Sequence, residues 1–129
     1  MSKDFIPDDI AQFILQRIDS VAQMEALVLL CRNADEEWAI EALAKRLYIS
    51  EQETTEILEH LCKDGLLLRK SNEPLRYQYQ PDSGEIQELV NRVVDTYTRH
   101  LVPVTNLIHS AAKTRVREFA DAFRFRKDE

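Results

Sequence analysis

The residues of this chain best suited to chemistry stand in "LYISEQETTEILEHLCKDGLL", Leu47 to Leu67, where Glu51, Gln52, Thr55 and Glu56 fall at helical spacing on one polar face. Their chemistry is recognition. A carboxylate only accepts hydrogen bonds, whereas the Gln52 amide and the Thr55 hydroxyl both donate and accept. Glu51 and Glu56 would repel a phosphate backbone. A second set, Arg69, Lys70 and Arg76, offers cations offset by Glu73. A third, Lys113, Arg115, Arg117, Arg124, Arg126 and Lys127, surrounds an apolar stripe of Val116, Phe119, Ala120 and Phe123.

Catalysis has no comparable set. There is no Gly-rich phosphate loop, no metal-ligand spacing and no Cys/His arrangement, so neither an enzyme nor a metal site or cofactor is expected. The histidines His60, His100 and His109 are scattered, and Glu36 and Glu37 read as helix-start acids. Cys31 and Cys62 each end an apolar stretch without a CxxC pair, which reads as two core thiols, a disulfide or redox switch being the alternative.

The 129 residues suffice for one domain with an appended element, and 44% hydrophobic with 31% charged residues is the balance of a folded chain. The apolar run "ALVLLC" is far short of the about 20 residues that span a bilayer, and "MSKDFIPDD" has no signal-peptide pattern, so a cytoplasmic protein is expected. The net charge of −6 is unevenly spread: residues 1–112 carry −8 and residues 113–129 carry +2.

These residues need elements to position them, and two glycines among 129 residues favour long helices. A first helix is expected after Pro7, Asp8 and Asp9, with Ile10, Phe13, Ile14 and Ile18 inward. A second begins after Ser20 and turns Met24, Leu27, Val28 and Cys31 inward, stopping near Asn33. Trp38 precedes a short third helix carrying Ala39, Leu43 and Leu47. Ser50 with Glu53 forms an S-x-x-E capping box, starting the next helix near Glu51, and Gly65 closes it. A hairpin follows: a strand at Leu66–Lys70, a Ser-Asn-Glu-Pro turn, then Leu75, Tyr77 and Tyr79 alternating with polar residues. Asp82 is read as the cap of a helix with Ile86, Leu89, Val90, Val93, Val94, Tyr97 and Leu101 on one face, ended or bent by Pro103.

From Trp38 to Gln80 this order resembles the winged helix-turn-helix superfamily: Ala44 and Leu47 match the positioning helix, Leu58 and Leu61 the buried face of the recognition helix, and "DGLL" the junction to the wing. The long C-terminal helices look similar to those of bacterial MarR and PadR regulators. The resemblance implies a mainly α fold with a small β-hairpin wing and a division into a winged-helix domain, 1–82, and a C-terminal helical segment, 83–129. It also implies a homodimer; Leu89, Val93, Tyr97 and Leu101 are the pairing face expected from the apolar surface of that helix.

The function expected first is a non-enzymatic regulator of transcription or signalling that acts through protein contacts, because the acidic residues at Glu51 and Glu56 lose the phosphate attraction on which DNA affinity rests. On that reading the basic tail meets an acidic protein surface. The alternative is a dimeric DNA-binding transcription regulator of the MarR/PadR kind.

Overall fold

The computed structural model describes residues 6–127, without the side chains of residues 71, 72, 115, 116 and 118–127. Two helices open the chain, α1 (Asp8–Arg17) and α2 (Val21–Arg32). Helix α1 starts directly after Pro7 with Asp8 and Asp9 in its first turn, where acids face unpaired backbone N–H groups. The hydroxyl of Ser20 caps α2 by accepting from the Gln23 N–H at 3.1 Å. Gln23, Met24, Ala26, Leu27, Val28 and Leu30 are all buried, so α2 is the central helix, packed against neighbours on several sides.

Strand β1 (Glu37–Ala39) comes next and departs from the sequence reading, which has no strand here. Trp38 lies in this strand, and Ala39 caps helix α3 (Ile40–Leu47) rather than belonging to it. Helix α4 (Glu51–Lys63) follows, then β2 (Leu67–Asn72) and β3 (Leu75–Tyr79). The hairpin turn is tighter than expected, since Ser71 and Asn72 continue β2 and only Glu73 and Pro74 link the strands. The three strands form an antiparallel sheet in the order β1-β3-β2.

Helix α5 (Gly84–Arg99) is capped by Ser83, which accepts from Ile86 N–H at 3.2 Å, not by Asp82. The Asp82 N–H instead donates to the Gly65 carbonyl at 2.9 Å and ties the segment after the wing to the end of α4. A break at His100 separates α5 from α6 (Leu101–Lys127), as Pro103 requires. Pro103 stands in the first turn of α6, where a missing N–H leaves no helical bond unmade. Leu101 therefore opens α6 instead of closing α5.

One hydrophobic cluster runs through these elements, from Ile10 and Ile14 through Leu27, Leu58, Leu61 and Tyr77 to Val93, Tyr97, Val104 and Ile108. Residues on both sides of position 82 share it. Helices α1, α5 and α6 pack on one another. An ion pair on the surface, from the Arg92 guanidinium to the Asp9 carboxylate, joins α1 to α5 and holds the Asp9 carboxyl below its ordinary range. The fold is mainly helical, with a short helix-turn-helix of α3 and α4 followed by a hairpin that completes a three-stranded antiparallel sheet.

Candidate nucleic-acid interface

Helix α4 is held by its own first turn. The Ser50 hydroxyl accepts from the Glu53 N–H at 3.0 Å, and the Thr54 hydroxyl donates to the Ser50 carbonyl at 2.8 Å. Thr54, Ile57, Leu58 and Leu61 are buried, which leaves Glu51, Gln52, Glu53 and Glu56 exposed on the other side. Of the expected recognition residues, Glu51, Gln52 and Glu56 thus face solvent. Thr55 is half-buried, and its hydroxyl donates to the Glu51 carbonyl at 2.8 Å, so its proton is committed to its own helix and only its lone pairs are left for a partner.

At the far end the chain must turn from α4 into the wing within three residues, Asp64 to Leu66. Gly65 does this with φ +79°, in the left-handed region where a Cβ is unfavourable. The Gly65 N–H donates to the Cys62 carbonyl and the Leu66 N–H to the Leu61 carbonyl, which close the helix.

The wing divides the three cations that the sequence groups together. In register, Trp38 of β1 lies opposite Tyr77 of β3, and Tyr77 opposite Arg69 of β2, so these three share the core face of the sheet. The Arg69 guanidinium stacks over the Tyr77 ring at 5.8 Å, and that of Arg46 over the Trp38 ring at 5.6 Å. Arg76, paired with Ala39, lies on the opposite face. Lys70 sits at a bulge between Arg69 and Ser71. All three wing cations are exposed.

Two further cations went unread in the sequence. Lys45 and Arg46 are exposed in the last turn of α3, which packs against α4. In "ALAKRLYIS" they look like ordinary helix-end charges, since cations suit a helix C-terminus. The helix that carries them packs on α4, and Arg46 itself lines a cavity with Glu25, Leu29 and Arg32 of α2.

A cavity of about 210 Å³ flanks α4, lined by Asp19, Ser20, Gln23, Glu53, Glu56, Ile57 and His60. His60 Nδ1 is 3.8 Å from Asp19 Oδ2, while Nε2 is 3.4 Å from Asp64 Oδ2 and 3.2 Å from the Arg17 carbonyl. Gln23, almost fully buried, bridges the α1–α2 turn by donating to the Arg17 carbonyl and accepting from the Asp19 N–H. Among the described residues no group of three or more His, Cys, Asp or Glu side chains is placed to hold a metal ion.

The expected pairing face is redistributed. Val93 and Tyr97 are buried in this chain's own core, where the Tyr97 hydroxyl donates to the Glu25 carboxylate; Leu89 is half-buried, and Leu101 is 50% exposed beside Val102 at 65%. Val93 and Tyr97 are thus covered by residues of this same chain. In the tail, the backbone is helical to Lys127, and Lys113 and Arg117 are exposed. The side chains of Arg115, Val116, Phe119, Ala120, Phe123, Arg124, Arg126 and Lys127 lie outside the described residues.

Cys31 and Cys62 are free, half-buried thiols rather than fully buried ones. Burial pushes both thiols above their ordinary range, so the thiolate fraction at neutral pH is low. Both are expected to label slowly with a thiol reagent at pH 7, faster as pH rises past the usual thiol range, and at once on unfolding. Rapid labelling of the folded protein at pH 7 would contradict this.

Among solved structures the fold is similar to HlyU from Vibrio cholerae N16961, with a TM-score of 0.53 and 21% identity over 70% of this chain and 94% of that one. It is also similar to Sco5413, a MarR family transcriptional regulator from Streptomyces coelicolor, with a TM-score of 0.50 and 20% identity over 91% of this chain and 85% of that one. The multiple antibiotic-resistance repressor (MarR) from Listeria monocytogenes 4b F2365 gives a TM-score of 0.50 and 15% identity over 92% and 82%. No family model and no curated protein matches the sequence. Sco5413 is thus a transcriptional regulator and the Listeria protein a repressor, and what they share with this chain is the fold.

Proposed function

We propose that this chain is a non-enzymatic transcription regulator that binds DNA as a homodimer, with α4 as the reading helix. The observation that carries this reading is the placement of four exposed cations on the two elements that pack against α4, Lys45 and Arg46 on α3 and Arg69 and Lys70 on β2, with a fifth, Arg76, on the neighbouring strand β3. Phosphate neutralisation supplies most non-specific affinity, and it need not come from the reading helix itself. Gln52, exposed near the start of α4, has the bidentate amide suited to an adenine edge. Residues 1–82 then form the reading part, and residues 83–129 the pairing part. Leu101 and Val102 present apolar surface at the start of α6 for a second copy.

Action through protein contacts, the reading ranked first from sequence, keeps one observation in its favour. Glu51, Glu53 and Glu56 make the exposed face of α4 acidic, and the cavity beside it adds Asp19. A mobility-shift assay with a random-sequence duplex separates the two. On the DNA reading the wild type shifts the duplex at low salt. Glu56→Arg raises that affinity and steepens its salt dependence by about one phosphate contact. A wild type that fails to bind at low salt, while α4 captures an acid-binding protein partner, would restore the protein-contact reading.

A further inference from the structure

Tyr48 occupies the turn between α3 and α4 with φ +59° and ψ +42°, squarely in the left-handed region. It is the one described residue other than glycine with positive φ. At this place after a helix, glycine is usual and asparagine second, because a Cβ there crowds the following carbonyl. The turn makes no use of the side chain. The Tyr48 N–H and the Ile49 N–H both donate to the Ala44 carbonyl, which closes α3 through backbone alone. Nor does packing repay the strain, since Tyr48 is 94% exposed while every other tyrosine of the chain is buried. The chain thus holds an aromatic phenol in water at a position where backbone and solvation both argue against one.

From this we infer that the Tyr48 side chain is a DNA-backbone contact, its hydroxyl donating a hydrogen bond to a phosphate oxygen. The inference rests on the DNA-binding reading of α4. Tyr48 lies two residues before the Ser50 cap of that helix, and Lys45 and Arg46 stand exposed within the preceding turn of α3. A phosphate drawn by those cations would find at Tyr48 a neutral donor on a rigid ring, which fixes its position without adding charge. A strained, solvent-exposed residue of this kind is where function is stored at some expense in stability.

The test compares the wild type with Tyr48→Phe and Tyr48→Gly by fluorescence anisotropy on a labelled random-sequence duplex over a range of salt, alongside thermal melts. Tyr48→Phe keeps the ring and removes the hydroxyl, so affinity should fall about tenfold, the loss of one hydrogen bond to a charged group. Its plot of log affinity against log salt should stay parallel to that of the wild type, because a phenol releases no counterion. Tyr48→Gly should lose at least as much affinity while melting at a higher temperature, as relief of left-handed strain demands. Equal affinity of wild type and Tyr48→Phe, or a changed salt slope, would overturn this inference and leave the DNA reading standing. A wild type that does not bind the duplex at low salt would overturn both.

Discussion

Replacing Leu61 with alanine is expected to lower unfolding stability by about 2–5 kcal/mol, the range for truncating a buried leucine. Leu61 has no exposed surface and lies in the cluster that joins α4 to the rest of the core. Its carbonyl also accepts the Leu66 N–H that closes α4 ahead of the wing, so the surrounding backbone is pinned and cannot collapse readily into the void. A cavity held open in this way is the costly kind. Urea titration should show a lower midpoint with an unchanged slope, which is a loss of stability without a change in the surface exposed on unfolding. Leu101→Ala, at a half-exposed position, should change stability by less than about 1 kcal/mol. If the two variants melt alike, α4 has been assigned the wrong inward face.

The double reversal Lys45→Glu with Lys70→Glu is expected to weaken binding to a random-sequence duplex by about a hundredfold at low salt, near tenfold for each lost charged contact. These two are chosen because both are exposed and neither guanidinium stack is disturbed: Arg46 on Trp38 and Arg69 on Tyr77 carry packing as well as charge. The salt dependence should flatten by about two phosphate contacts. A thermal melt near that of the wild type would separate this loss from unfolding. Should the reversal leave duplex affinity intact, the cations around α4 do not meet phosphate, and the acidic face of that helix becomes the better guide to the partner.

These two predictions draw on different levels of information. That Leu61 points inward was legible in the sequence, because the apolar spacing of Leu58 and Leu61 is set within one helix. The relation of Lys45 to Lys70 was not, since the two stand on separate elements, α3 and β2, each of which packs on α4 only in the folded chain.

Where a signal acts within a few residues of its effect, the amino-acid order was sufficient. The hydroxyls of Ser20 and Ser50 start α2 and α4, Gly65 closes α4, and Pro103 forces the break between α5 and α6. A capping bond spans three residues and a helical turn spans about four, so these outcomes depend on neighbours in the chain. The tertiary structure decided whatever needs a distant partner. Strand β1 is three residues with no stability of its own, and it exists because Trp38 finds Tyr77 across the sheet. The same register puts Arg69 on one face of the wing and Arg76 on the other. Val93 and Tyr97 have the apolar pattern of a pairing face, yet they are spent on this chain's own core, while Leu101 and Val102 remain outside. Periodicity marks which residues of a helix must leave water; it does not say which surface will cover them, because burial is non-directional and only the packed arrangement chooses the partner.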